Sequence, residues 1–550
     1  MFLDARSVES GATIKTEVCI IGGGVAGLTI ARELSARKIR SCVIESGGFE
    51  PDAETRDLYR GECVGMPYYF ADGCRSRYLG GSSNCWGGWC RPMDPLDYER
   101  RSWIANSGWP FGPEELAPYY ERALPVLQLG SNNFDVGYWT KAIDRPDVKR
   151  YPLSGQTLVD GVSQFSPPLR AGKVFREELQ NSSIISVLLY ANVTNISADA
   201  NAVTAQKVDV QTLRGNKLSV EARCFVLATG GIENTRLLLT SNKQAPAGLG
   251  NGNDLVGRYF MDHPRVTSAW VRLRPEWRRN KLYDNKFQYQ NDAVAAYGTR
   301  IAAQLSPTPA AQERYGILTA RASLGSIFPG EYGPAADAIR QLRRQYEGSE
   351  NPDTTIAQNL QKIASHPLLA AGFVAARLFQ PQILIRGVRI EVTVEPNADP
   401  ESRVTLSNAR DRLNMQRVRV DWRLDASVKR TFDTMFALVR EEFRANNIGE
   451  VDLDPAIGDG DWPATFEREG TWHHMGTTRM HDSPRQGVVD RNCLVHGMNN
   501  LYIAGSSVFP TGSAIYPTIT LTALALRLSK HIASKLKAVS AAGSYGTEAA

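Results

Sequence analysis

This 550-residue chain is most easily placed by what it lacks. Its eight cysteines, at 19, 42, 63, 74, 85, 90, 224 and 493, show no repeated CxxC pattern, and a disulfide framework is not expected in a chain this large. Cys19 and Cys42 lie within apolar runs and read as buried thiols. No run of eighteen apolar residues occurs, so no membrane-spanning helix is expected. The first fifteen residues hold no apolar core of signal-peptide length and no twin-arginine signal, which makes a cytoplasmic location the expectation. Charge of one sign is also missing. The 63 Lys and Arg nearly balance the 58 Asp and Glu, leaving a net +5 that does not imply a nucleic-acid partner. The short basic run at Arg340, Arg343 and Arg344 reads as a solvated face. Internal repeats and low-complexity tracts are absent too.

What is present requires more than one hydrophobic core at this length. The order is clearest in TEVCIIGGGVAGLTIARELSARKIRSCVIES, residues 16–46. Val18 to Ile21 form an apolar strand, and Gly22, Gly24 and Gly27 spell GxGxxG. Ala26, Ile30, Ala31 and Leu34 follow at helical spacing, and a second strand, Ser41 to Ile44, ends in Glu45. This is the dinucleotide-binding strand-helix-strand unit in its required context. Gly22 permits the tight turn, Gly24 lets a pyrophosphate approach the backbone, and Gly27 lets helix and strand pack closely. The helix amino end then faces the phosphates, and Glu45 faces the ribose hydroxyls.

After Glu45 the chain leaves the compact alternation usual for NAD enzymes. RYLGGSSNCWGGWCRPMD, residues 77–94, predicts a glycine-lined loop or short helix start against something flat, which suits a flavin. Residues 223–242 read strand, Ala228-Thr229-Gly230-Gly231 turn, helix; residues 499–532 read strand, Gly505-Ser506 turn, then a helix from about Pro517. Both segments are expected to return to the first sheet. The fold class is therefore α/β: a discontinuous Rossmann-like FAD-binding domain from 14–110, 215–275 and 455–537. A substrate domain, with a mostly antiparallel sheet and helices, is expected from part of 111–214 and from 276–454. Residues 1–13 and 538–550 are expected as flexible tails.

In the middle, an arginine-rich linker at 276–282 precedes a helix near 334–346 and a longer apolar helical region at 350–379 that Pro367 breaks. The stretch 367–379 reads either as a buried packing helix or as a membrane-surface or partner-binding face. RIEVTVEP, 389–396, alternates with Ile390, Val392 and Val394 on one side; 402–407 and 417–424 are further half-buried strands.

Together these segments resemble the glucose-methanol-choline (GMC) oxidoreductases, in particular their bacterial sugar- and alcohol-oxidising branches. The resemblance is carried by GxGxxG with Glu45, GGSSNCWGG at 80–88, ATGGIENTRLLL at 228–239 and GRYFMDHP at 257–264. Near the carboxyl end it is carried by HHMGTTRM at 473–480, GVVD at 487–490 and the segment 501–528. It implies FAD as cofactor and oxidation of a CH–OH group in an alcohol, sugar or other polyol. Oxygen, a quinone or a redox protein is the implied acceptor, and a homo-oligomer is left open.

The resemblance makes His473, three residues before Gly476, the catalytic base, a role that suits an imidazole's near-neutral pKa. It makes Tyr516 the second catalytic position, where the family pattern carries Asn or His. The cofactor set is Gly22, Gly24, Gly27, Glu45, Gly81, Ser82, Asn84, Cys85, Ala228, Gly230, Gly505, Ser506, Pro517 and Thr518. Asn84 is expected at the flavin N5–O4 edge, and Asp490 near the ribityl and pyrophosphate groups. Cys85 stands where some members link flavin covalently through histidine; a cysteinyl link and a non-covalent flavin are both open. His263 is expected as a structural residue at a domain junction, and no metal is expected among His473, His474 and His481. A non-oxidative flavin reaction (lyase, isomerase or decarboxylase) and a non-catalytic flavoprotein remain as alternatives.

Overall fold

The computed structural model describes residues 1–544 except 67–73, 168, 279, 286–293, 329, 332, 347–353, 380–384, 386, 464–465 and 467–470. Strand Thr13–Ile21 sits near the centre of an eight-stranded sheet. It pairs in parallel with Ser41–Ile44 on one side and with Lys217–Leu227 on the other. Val18, Cys19, Ile20 and Ile21 are all buried, as expected of a parallel strand covered on both faces. Strand Lys217–Leu227 is long enough to serve two neighbours on its far edge. Its first half pairs antiparallel with Ala205–Gln211, and Phe225–Leu227 pairs in parallel with Leu501–Ile503. The helices Val25–Ser35 and Pro517–Ser544 pack on each other beside this sheet. Segments nearly 500 residues apart thus share one nucleotide-binding layer.

The sheet redraws the expected boundaries. Phe2–Asp4 is an edge strand parallel to Ile185–Leu189, and the Met1 amino group bonds the carbonyls of Leu179 and Ile185, so residues 1–13 are not a loose tail. Ile185–Leu189, Asn192–Ala198 and Ala205–Gln211, which fell in the span given to the substrate domain, belong to this first sheet. At the other end the last helix runs on to Ser544, where a tail from 538 was expected; residues 545–550 lie outside the described residues.

A second eight-stranded sheet has Arg265–Leu273, Gly387–Val394, Ala320–Ile327, Thr299–Pro307 and Leu158–Phe165 as successive antiparallel neighbours. Helix Ala426–Ala445 packs on one face, with Phe432, Met435, Phe436, Val439 and Phe443 buried. Strand alternation then sorts the side chains. Ile301, Ala303, Ala320, Ala322, Ile390 and Val392 enter this second core, as the pattern around Ile390 predicted. The intervening Gln304, Arg321 and Glu391 take the opposite face. Residues 402–407 and 417–424 fall elsewhere: Arg403–Arg410 and Gln416–Trp422 form a small sheet with Gly61–Gly65.

Helices Ile356–Ser365 and Pro367–Phe379 are separated at Pro367, as expected; residues 350–353 lie outside the described ones. The second helix is buried on one side, as the packing reading expected, and exposed on the other. Ala370, Phe373 and Ala376 are buried, while Leu368, Leu378 and Phe379 are exposed. Among the described residues no helix is long and apolar enough to cross a membrane.

Candidate active site

A cavity of about 650 Å³ lies between the two sheets. One end is the GxGxxG turn. Gly22 has φ +111°, and a side chain there would meet the Ala228 carbonyl oxygen at 2.5 Å. A Cβ on Gly27 would come within 2.1 Å of the Gly22 carbonyl oxygen, so Gly27 serves helix-turn packing and does not line the cavity. At Gly24 the only neighbour a Cβ would find is Gly81 Cα, at 4.0 Å. The helix that begins there has no side-chain cap, and neither does helix Gly231–Thr240 behind Gly230. Both amino ends open on the cavity, with Pro517 and Thr518 of a third helix. Orphan backbone donors converging beside glycines suit a pyrophosphate.

Glu45 accepts from the backbone N–H groups of Gly23 and Gly47 at 2.9 and 3.0 Å, and carboxylate lone pairs remain for ribose hydroxyls. Burial raises its pKa, and those N–H groups oppose the rise. The loop 80–88 lies directly on the turn: Gly80 N–H donates to the Gly23 carbonyl at 2.8 Å, and Gly81–Asn84 is a short 3-10 helix. The donor set and the glycine cradle fit FAD.

Gly81, Ser82, Cys85, Ala228, Gly230, Gly505 and Ser506 line the same cavity. Two expectations are corrected. Asn84 turns back to donate to the Leu79 carbonyl at 3.0 Å and fixes its own loop instead of facing the cavity. Asp490 accepts from the N–H groups of Asn492 and Leu494 at 2.8 and 2.9 Å, holding a turn away from the cavity. Both side chains satisfy local backbone donors or acceptors, the habit of short polar residues in turns. A cationic cluster was not foreseen. Arg75, Arg77 and Arg236 surround Glu233; burial opposes its charge, but the three guanidiniums hold its carboxyl down at about 2.

The other end of the cavity carries the histidines. MDHP and HHMG meet as a two-residue antiparallel bridge, with Met261 and Met475 exchanging backbone hydrogen bonds of 3.0 and 2.9 Å. Asp262 Oδ1 accepts from the Thr471 hydroxyl at 2.7 Å, the His473 N–H at 2.7 Å and the His263 N–H at 2.8 Å. This brings Nδ1 of His263 to 2.8 Å from Nδ1 of His473. His473 opens on the cavity, with its ring centre 6.2 Å from that of Tyr516. Burial, His263 and Arg321 hold its pKa well below the usual histidine value. His474 stacks on Phe260, and burial, then Arg75, bring it to about 3. His481 accepts from the Ser483 N–H at 2.9 Å and stands apart from this pair. Among the described residues no group of three or more His, Cys, Asp or Glu is placed to hold a metal ion.

Tyr516 is stacked on Trp89 of the glycine-rich loop at 5.1 Å. Its hydroxyl oxygen accepts from Gln304 Nε2 at 3.0 Å and from the Arg321 guanidinium. Arg321 is itself fixed by donation to the Ala514 carbonyl at 2.6 Å. Gln304 and Arg321 were missed at the sequence level. Both sit in strands that mix polar and apolar residues, Thr299–Pro307 and Ala320–Ile327, so no local pattern singled them out.

Comparison with known proteins agrees with this geometry. The FAD dependent oxidoreductase profile matches residues 17–246, and the GMC oxidoreductase profile matches 398–525. The chain is 23% identical to the fructose dehydrogenase large subunit of Gluconobacter japonicus, over 96% of this chain and 99% of that one. It is 25% identical to 2-methyl-1,2-propanediol dehydrogenase of Mycolicibacterium austroafricanum, over 95% and 96%. Among solved structures, formate oxidase superposes with a TM-score of 0.54 at 18% identity, covering 96% of this chain and 100% of that one, which shows a shared fold. With its glycine cradle, its acid and its discontinuous first sheet, the chain carries a GMC oxidoreductase domain over 398–525 and is an FAD-dependent enzyme of GMC type.

Proposed function

We propose that this enzyme oxidises a CH–OH group of a polyhydroxylated alcohol, a sugar or glycoside foremost, with His473 as base and Tyr516 as hydrogen-bond donor to the reacting oxygen. The observation that carries the proposal is the meeting of His473 and Tyr516 over one cavity wall, ring centres 6.2 Å apart, at the end opposite Glu45. FAD supplies the acceptor for the hydride on the substrate carbon. His473 takes the hydroxyl proton; its lowered pKa keeps it a neutral base at pH 7. As charge grows on the oxygen, the Tyr516 hydroxyl, polarised by Arg321 and Gln304, stabilises it in the manner of an oxyanion hole.

Substrate class is read from the wall formed by the second sheet. Arg265, Arg321 and Glu391 of its strands line the cavity with Asn285 and Glu331 of the connections between them, and Arg265 stands 3.7 Å from Glu391. A wall that carries both donors and acceptors suits a ligand with several hydroxyls more than a simple alkanol. Two relatives' names point the same way: fructose dehydrogenase and 2-methyl-1,2-propanediol dehydrogenase. The non-oxidative alternative has no feature of the site in its favour. We further propose a cytoplasmic enzyme.

Anaerobic mixing of the holoenzyme with sugars, glycosides, diols and simple alcohols tests the reading. Bleaching of the flavin by a polyol supports it; bleaching by none of them overturns it. Readmitting oxygen, or adding a quinone or a redox protein, then assigns the acceptor.

A further inference from the structure

We propose that His263 is a positioning residue that sets which ring nitrogen of His473 carries the proton, leaving Nε2 of His473 bare and able to accept the substrate's hydroxyl proton. The proposal rests on the reading of His473 as base.

The argument is a count of donors. Nε2 of His263 lies 2.7 Å from the Ser513 carbonyl oxygen and 3.2 Å from that of Gly512. Carbonyl oxygens only accept, so this nitrogen must carry a hydrogen. A neutral imidazole has one N–H, which leaves Nδ1 of His263 as an acceptor. The 2.8 Å separation of the two Nδ1 atoms needs one proton between them, and only His473 is left to provide it. With its single proton on Nδ1, His473 has a lone pair on Nε2.

Neutrality of both rings is supported by their surroundings. His263 is fully buried, and burial, then the Arg321 charge, bring its pKa to about 4; Glu395 and the two carbonyls act against that fall. Arg321, Arg265 and His474 act on His473 in the same direction.

The carbonyl that starts the chain is itself held. Ser513 is a buried non-glycine residue at φ +52°, and its hydroxyl donates to Asp97 Oδ2 at 2.7 Å. Asp97 also accepts from the Asp94 N–H at 2.9 Å and the Thr319 hydroxyl at 3.0 Å. A backbone conformation that L-residues seldom adopt is thereby tied in place, and it turns the Ser513 oxygen towards His263. Asp97, Ser513, His263 and His473 form one directed series of hydrogen bonds ending at the cavity. Such arrangements, in which one group orients a base through its far nitrogen, are how a tautomer is chosen.

The test uses holoenzyme at pH 7.5 with ¹⁵N-labelled histidine. Only seven histidines are present, and His473→Gln assigns the signal that matters. The expected spectrum shows His473 protonated at Nδ1 and bare at Nε2, with His263 the reverse. His263→Leu, which offers no acceptor, is expected to shift His473 to a mixture of tautomers. His263→Asn places an amide oxygen near the lost Nδ1 and is expected to restore the parental His473 signal. Because these readouts need no substrate, they stand or fall separately from the proposed reaction. His473 protonated at Nε2 in the parent, or an unchanged His473 signal in His263→Leu, would overturn the inference; so would a His263→Asn spectrum that matches His263→Leu.

Discussion

The guanidinium of Arg321 lies 4.0 Å from the ring centre of Tyr516 and bonds that residue's hydroxyl oxygen. A tyrosine thus stands where the family pattern carries Asn or His, supported from behind by a cation. Tyr516→Phe keeps the ring stacked on Trp89 and removes only the oxygen. Flavin content should be unchanged, and the anaerobic flavin-reduction rate should fall about 10²–10³-fold, the usual cost of losing one such donor. An unchanged rate would remove Tyr516 from the chemistry.

His473→Ala should retain yellow, folded holoenzyme and lose about 10²–10⁴-fold in flavin reduction, the range for a general base. Since its pKa lies well below 6.5, the parental rate should hold as pH falls through 6.5 and decline only at lower pH. Stopped-flow reduction across pH 5–8 checks both statements, and an acid limb centred at 6.5 or higher would contradict the second.

Gly24 and Gly27 should separate cofactor binding from folding. Gly24→Ala adds a methyl group with 4.0 Å of clearance from protein, inside the lobe assigned to pyrophosphate. It should fold and bind FAD weakly. Gly27→Ala drives a methyl group to 2.1 Å from a backbone oxygen, so it should lower thermal stability even in FAD-free protein. Thermal melts with and without added FAD distinguish the two.

Cys85 opens on the cavity, yet burial raises its thiol pKa, so the neutral thiol dominates at pH 7. A thiolate is the reactive form. Acid precipitation of holoenzyme should therefore release the flavin into the supernatant; flavin retained in the pellet would establish a covalent link.

His263 should make stability depend on pH in one direction. In the unfolded chain it takes up a proton near pH 6.5, whereas burial delays that to about 4 in the folded protein. Between those values the unfolded state binds more protons, so stability is full above 6.5 and falls as pH drops towards 4. Urea midpoints at pH 7.5 and 4.5 should differ less in His263→Asn than in the parent.

The chain's own order determined the nucleotide unit. Its code is local: a strand, a turn that tolerates only glycine at Gly22, a helix that needs Gly27, and an acid one strand later. Neighbours in sequence are neighbours in space there, so spacing carries the geometry. Strand alternation likewise placed Ile390 and Val392 in a core. The fold alone brought His263, Gln304 and Arg321 to His473 and Tyr516, and removed Asn84 and Asp490 from the cavity. His263 and His473 are 210 positions apart, and Arg321 and Tyr516 are 195 apart. Such pairs meet only through sheet register and the bridge at Met261 and Met475. No local periodicity encodes those long-range pairings, because they depend on where whole layers pack and not on the residues in between.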